Sequence, residues 1–131
     1  MISFDAFVLA EGVPIYQQIL TFLKRGIAAG TIGDGDELPS RRVLSAQLGV
    51  NPNTVQKAYR LLEESGLIAS RSGTKSEMTL TEEAVTAIRE RLLEQEAATL
   101  VRSLRQMGLT LPQAAAWLER MWNQPEQEDD L

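Results

Sequence analysis

The chain has 131 residues, 44% of them hydrophobic, a formal net charge of −5, and neither cysteine nor histidine. That length fits one domain, or a small domain with an appendage, and that apolar content suffices for a core. The missing residue types exclude disulfides, thiol chemistry, zinc sites of the Cys/His kind and His-dependent catalytic triads. No run of about 18 apolar residues occurs, and the opening MISFDAFVLAEG lacks a basic n-region and a long h-region. A soluble cytoplasmic protein without membrane contact is the simplest expectation.

Residues 3–13 read as an extended arm. Pro14 suits a first helical position, where its missing N–H would have no partner anyway, and Ile15, Ile19, Phe22, Leu23 and Ile27 follow at helical spacing to a stop at Gly30. Residues 31–37, TIGDGDE, read as a loop. A second helix over about residues 40–48 should bury Val43, Leu44 and Leu48 before Gly49 ends it. Asn51 is a natural N-cap and Pro52 a natural first residue for a third helix, which Gly66 closes. Residues 67–80 change character. LIASR and SEMTL alternate weakly around Ser72-Gly73-Thr74-Lys75, a hairpin turn in which Gly73 supplies positive φ. A plain linker between two helical halves is the alternative reading.

Thr81, with Glu82 and Glu83 behind it, starts a long helix. Its apolar stripe is Val85, Ile88 and Leu92, then Leu93, Ala97, Leu100, Leu104 and Met107, the last five spaced 4, 3, 4 and 3 in a short heptad run. Gly108 breaks the stripe. Thr110 to Gln113 has the capping-box form, and a last helix sets Ala114, Ala115, Leu118, Met121 and Trp122 on one side. Residues 123–131, NQPEQEDDL, read as a frayed acidic tail. The expected fold is mainly α with a small β-hairpin wing. A winged helix-turn-helix with its arm occupies residues 1–80, a two-helix segment residues 81–122, and the tail residues 123–131.

Chemistry concentrates on the third helix. At about 100° per residue Val55, Ala58, Tyr59 and Leu62 share one face, and Asn53, Gln56, Lys57 and Arg60 the opposite one. Amides can pair bidentately with adenine, Lys and Arg with guanine, and both cations bind phosphate. A merely solvated face would look the same; the preceding helix, the tight turn and the hairpin favour a DNA reader. Glu64, one turn beyond Arg60, would repel phosphate, so groove contact should fade before it. Arg41 and Arg42 open the helix that crosses the DNA backbone in such motifs, and Arg71 and Lys75 flank the wing turn. The overall acidity does not veto binding. Residues 39–75 hold six basic and two acidic residues, whereas residues 77–131 hold five basic and eleven acidic, and distant charges are largely screened.

The glutamates of the long helix (Glu82, Glu83, Glu90, Glu94 and Glu96) could suggest a metal or acid/base site, but their spacing suits a solvated face. With no His, Cys or phosphate-binding loop to complete a site, no enzyme, metal or cofactor is indicated. Met107, Trp117, Met121 and Trp122 read as core or subunit interface before ligand pocket.

The run Pro39-Ser40-x-Arg42-x-Leu44, then Leu48-Gly49-Val50-Asn51-Pro52-Asn53-Thr54-Val55, then Ala58-Tyr59-x-x-Leu62-Glu63 and Gly66-Leu67-Ile68 resembles the GntR family of bacterial transcription regulators. The arm ISFD and the entry Pro14-Ile15-Tyr16-x-Gln18-Ile19 resemble its short YtrA-type subfamily. The resemblance implies a winged helix that binds a two-fold symmetric operator as a homodimer, usually as a repressor and often of ABC-transporter genes. By position it implies DNA contacts from Arg42, Asn51, Asn53, Thr54 and Gln56, and a wing-tip role for Gly73. The chain departs from the family after Gly73. Lys75-Ser76-Glu77-Met78 stands where a second glycine and Thr-Phe-Val are common.

The residues expected at the DNA are therefore Arg41, Arg42, Asn51, Asn53, Thr54, Gln56, Lys57, Arg60, Arg71, Gly73 and Lys75. Those expected between subunits are Leu92, Leu93, Ala97, Leu100, Leu104, Met107, Leu118 and Trp122, because one long and one short helix cannot cover the stripe alone. A winged helix used for protein contacts is the competing reading, and a small-molecule effector is compatible with the chain but not indicated by it.

Overall fold

A computed structural model describes residues 1–126 apart from Ser72 and Thr74; the turn reading at those two and the tail reading from residue 127 onward lie outside the described residues. Eight elements follow in order: α1 (Ile15–Ala29), β1 (Glu37–Leu38), α2 (Arg41–Leu48), α3 (Pro52–Glu64), β2 (Ile68–Arg71), β3 (Lys75–Met78), α4 (Glu82–Gln106) and α5 (Leu111–Trp122). The chain divides into two compact units, Met1–Leu92 and Leu93–Leu131, with the boundary inside α4.

Caps fix most of the helix ends. Ser40 Oγ accepts from Val43 N, Asn51 Oδ1 from Asn53 N, and Thr110 with Gln113 closes a full capping box. Thr81 Oγ1 accepts from Ala84 N, and Glu82 and Glu83 sit at the positive end of α4. Pro14 lies one residue earlier than expected, as the N-cap of α1 rather than its first residue.

The core of the first unit joins Ile19, Leu23 and Ile27 of α1, Leu44 of α2, Val55, Ala58, Tyr59 and Leu62 of α3, and Leu38, Ile68 and Met78 of the sheet. Val85 and Ile88 of α4 pack against this cluster, and Arg89 Nη1 donates to Ala28 O at 3.1 Å. β1, β3 and β2 form an antiparallel sheet in that order, so the hairpin exists and gains a third strand.

Four expectations need correction. The segment before α1 is not simply extended. It turns at Asp5–Ala6 and again near Gly12, buries Ile2 and Phe4, and stacks Phe4 and Phe7 on Phe22 at centroid distances of 5.0 and 5.4 Å. Residue 37 belongs to a strand, because Glu37 and Leu38 pair with Glu77 and Ser76 of β3. Val43 is exposed, and Ser45 is buried in its place. Around α2, Leu44, Leu48 and Ser45 lie within about 100° of one another, and Val43 falls outside that arc. Of the two readings of Met107, Trp117, Met121 and Trp122, core or subunit interface, the core reading fails, since all four are exposed in the single chain.

Within the second unit, Ala114 is the one buried hydrophobic residue among those described. Leu93, Leu100, Met107, Leu118 and Trp122 are exposed, as is Ala97, and Leu104 is half-buried. Leu92, at the end of the first unit, is also half-buried.

Candidate nucleic-acid interface

The turn between α2 and α3 depends on Gly49, whose φ of +66° is a backbone that a side chain would strain. Val50 N donates back to Ser45 O at 3.1 Å, which closes the end of α2 and delivers the chain to Asn51 and Pro52. The amphipathic pattern of α3 is realised in full. Val55, Ala58, Tyr59 and Leu62 are buried, and Asn53, Gln56, Lys57 and Arg60 are exposed. Tyr59 locks the helix in place by donating its hydroxyl to Pro39 O at 2.7 Å. Burial pushes its pKa above the ordinary phenol range, and the nearby Arg41 charge pulls the opposite way.

The two arginines of α2 part company. Arg41 shares the side of Leu44 and Ser45, so it turns inward. Its Nη2 lies 3.0 Å from Glu63 Oε1, and its guanidinium stacks 5.2 Å from the Tyr59 ring centroid. Arg42 lies 100° further round, exposed, with no side-chain partner among the described residues. Arg41 therefore ties α2 to α3 through Glu63 and Tyr59, whereas Arg42 is the arginine of the pair left free.

The other expected contacts divide the same way. Asn53 and Gln56 are exposed and Thr54 half-buried, and their side chains make no hydrogen bond among the described residues. Asn51 is exposed, but its Oδ1 is engaged in the cap. Lys57 Nζ sits 4.0 Å from the Tyr16 ring centroid of α1, and Arg60 Nε lies 3.8 Å from Glu64 Oε1. Both members of that second pair are more than half exposed, so the pair is weak and phosphate can replace it. Arg71 pairs with Glu77 at 2.8 Å and Lys75 with Glu37 at 4.0 Å. Gly73, at φ +82°, occupies the hairpin tip.

Sequence reasoning missed Glu63, which accepts from both Arg41 and Ser70 and so joins α2, α3 and β2. It also missed Tyr16, which holds Lys57. The signal for Arg41 was present in the spacing, since adjacent residues on a helix cannot face the same way. Away from this surface, a cavity of about 700 Å³ lies among the arm, α1 and the following loop, lined by Phe22, Gly26 and Ile32 among others. None of the expected DNA contacts lines it.

A helix-turn-helix backed by a small antiparallel wing, with a free Arg side chain at the start of its first helix and free Asn and Gln side chains on the exposed face of its second, defines a winged-helix DNA-binding protein. The pattern of bacterial regulatory proteins of the gntR family matches residues 15–75. The chain is 33% identical over 117 residues to the HTH-type transcriptional repressor YtrA of Bacillus subtilis, covering 85% of this chain and 86% of that one. It superposes on a GntR family transcriptional regulator from Listeria monocytogenes with a TM-score of 0.77 at 29% identity, over 86% of this chain and 98% of that one. A second solved relative is YtrA from Sulfolobus acidocaldarius, a GntR-family transcription factor, at 34% identity and a TM-score of 0.53, over 70% of this chain and 99% of that one. The chain belongs to the GntR family of bacterial transcriptional regulators and is of the short YtrA type. It is a DNA-binding regulator and not an enzyme.

Proposed function

We propose that this protein represses transcription in the cytoplasm as a homodimer on a two-fold symmetric operator. α3 lies in the major groove, and the start of α2 crosses the backbone. Asn53, Thr54 and Gln56 read base edges, Arg42 holds phosphate or guanine, and Lys57 and Arg60 add phosphate contacts. The carrying observation is the clean division of α3, where the buried face is anchored through Tyr59 and the opposite face keeps uncommitted amides. Similarity to a repressor, YtrA of Bacillus subtilis, supports the sign of regulation, and the resemblance to the short type makes an ABC-transporter operon the first target to examine. The exposed stripe of the second unit supports the homodimer: Leu93, Leu100, Met107, Leu118 and Trp122 need a cover.

The test is fluorescence anisotropy with duplex DNA from upstream of the protein's own gene, against a scrambled duplex, over a salt series. The proposal expects selective binding whose logarithm falls steeply with the logarithm of salt. Equal, salt-insensitive signals for both duplexes would contradict it.

A further inference from the structure

The wing carries an unusual charge pattern. Along β3, alternation turns the buried Ser76 and Met78 toward the core and sets Lys75 and Glu77 on the outer face. The register then places Lys75 opposite Arg71 of β2, and Glu77 opposite Glu37 of β1. Each strand pair thus opposes like charges, an arrangement that is destabilising unless neighbours compensate. The diagonals compensate: Arg71 Nε lies 2.8 Å from Glu77 Oε1, and Lys75 Nζ lies 4.0 Å from Glu37 Oε1. Two cations and two anions therefore share one small face, all within a Debye length of any phosphate that reaches it.

We infer that Glu37 and Glu77 neutralise the wing, so that attraction to the DNA backbone is carried by the α2–α3 face and Glu77 sets how far the wing engages. The inference rests on the DNA-reader proposal above. If phosphates drew Arg71 and Lys75 away, Glu37 and Glu77 would be left facing one another, and each would also repel the DNA. The α2–α3 face has no such brake at Arg42, whose guanidinium is unpaired among the described residues.

The test compares the full chain with Glu77→Gln, Arg71→Ala and the double variant on a mixed-sequence DNA duplex, by anisotropy over a salt series. Arg71→Ala alone should weaken low-salt binding by only about twofold to fivefold and leave the log–log slope unchanged, because it uncovers the repulsion of Glu77 but removes no phosphate contact. Glu77→Gln should tighten low-salt binding by about threefold to tenfold and steepen the log–log salt slope by about one, as one cation is freed for phosphate. Adding Arg71→Ala to it should erase that gain. Glu90→Gln makes the same change in net charge on α4 and should leave affinity within about twofold, since its field at the wing is screened. Glu37→Gln should act in the same direction as Glu77→Gln, and it serves if the latter fails to fold.

A loss of tenfold or more in Arg71→Ala, with a slope shallower by about one, would overturn the inference, because the wing cation would already be on DNA. So would a Glu77→Gln variant that behaves like Glu90→Gln. Absence of salt-sensitive binding in every variant would instead overturn the DNA-reader proposal itself, and this inference with it.

Discussion

The two units of the chain treat their apolar residues in opposite ways. In the first, Ile19, Leu23, Leu44, Val55 and Leu62 are fully shielded, covered by α1, α2, α3 and the sheet together with Ile2 and Phe4 of the arm and Val85 and Ile88 of α4. In the second, Trp122 is 87% exposed, Met107 65% and Leu93 58%, and Ala114 alone is buried among the described residues. Helical pattern is equally plain in both; what differs is whether enough neighbouring elements exist to satisfy it. The first unit buries its core within one chain, whereas the second leaves most of its apolar stripe exposed, which is the basis of the homodimer proposal.

The largest expected effect separates the units directly. Leu62→Ala empties a filled core position and should cost about 2–5 kcal/mol in thermal or denaturant unfolding. Leu100→Glu should leave unfolding of the winged helix almost unmoved and instead abolish self-association in sedimentation velocity. Equal destabilisation by both substitutions would break the contrast.

A second comparison lies within α2. Arg42→Ala should lose roughly 1–3 kcal/mol of operator binding without loss of stability. Arg41→Ala should show the reverse emphasis, with stability falling by about 0.5–1 kcal/mol as the partly exposed pair with Glu63 and the stacking on Tyr59 are lost and a smaller change in DNA affinity. Unchanged binding in Arg42→Ala would remove that residue from the interface.

The smallest effect concerns Tyr59. Its folded pKa lies above the ordinary value of 10.0, so the folded state favours the protonated phenol. The stabilisation is therefore fully present below about pH 10 and is lost as pH rises through the folded value. Tyr59→Phe should flatten that alkaline decline and cost about 1 kcal/mol at neutral pH through the lost bond to Pro39. An alkaline decline identical in the variant would assign it to other groups.

Local chemistry explains what was legible in the sequence. Ser40, Asn51 with Pro52, and Thr110 with Gln113 mark helix starts through bonds made within three residues, so they can be read without a fold. The buried and exposed faces of α3 follow from spacing alone. The unread features depend on tertiary neighbours. β1 is two residues long, too short to alternate, and exists because Glu77 and Ser76 of β3 come alongside it. Phe4 is buried because Phe22 lies beneath it, and nothing near residue 4 announces that. In the candidate site, Arg42, Asn53 and Gln56 match their expected exposure. The ion pairs of Arg41, Arg71 and Lys75 were not legible, because their acidic partners are distant in sequence or sit across a strand pair.

The account rests most heavily on the second unit completing itself with another copy of the chain while the first holds DNA. Sedimentation velocity of the full chain at micromolar concentration, alone and with an operator duplex obtained by selection, tests that most directly. The account predicts a dimer in free solution and two chains per duplex. A monomer in solution that binds as one chain per duplex would contradict it.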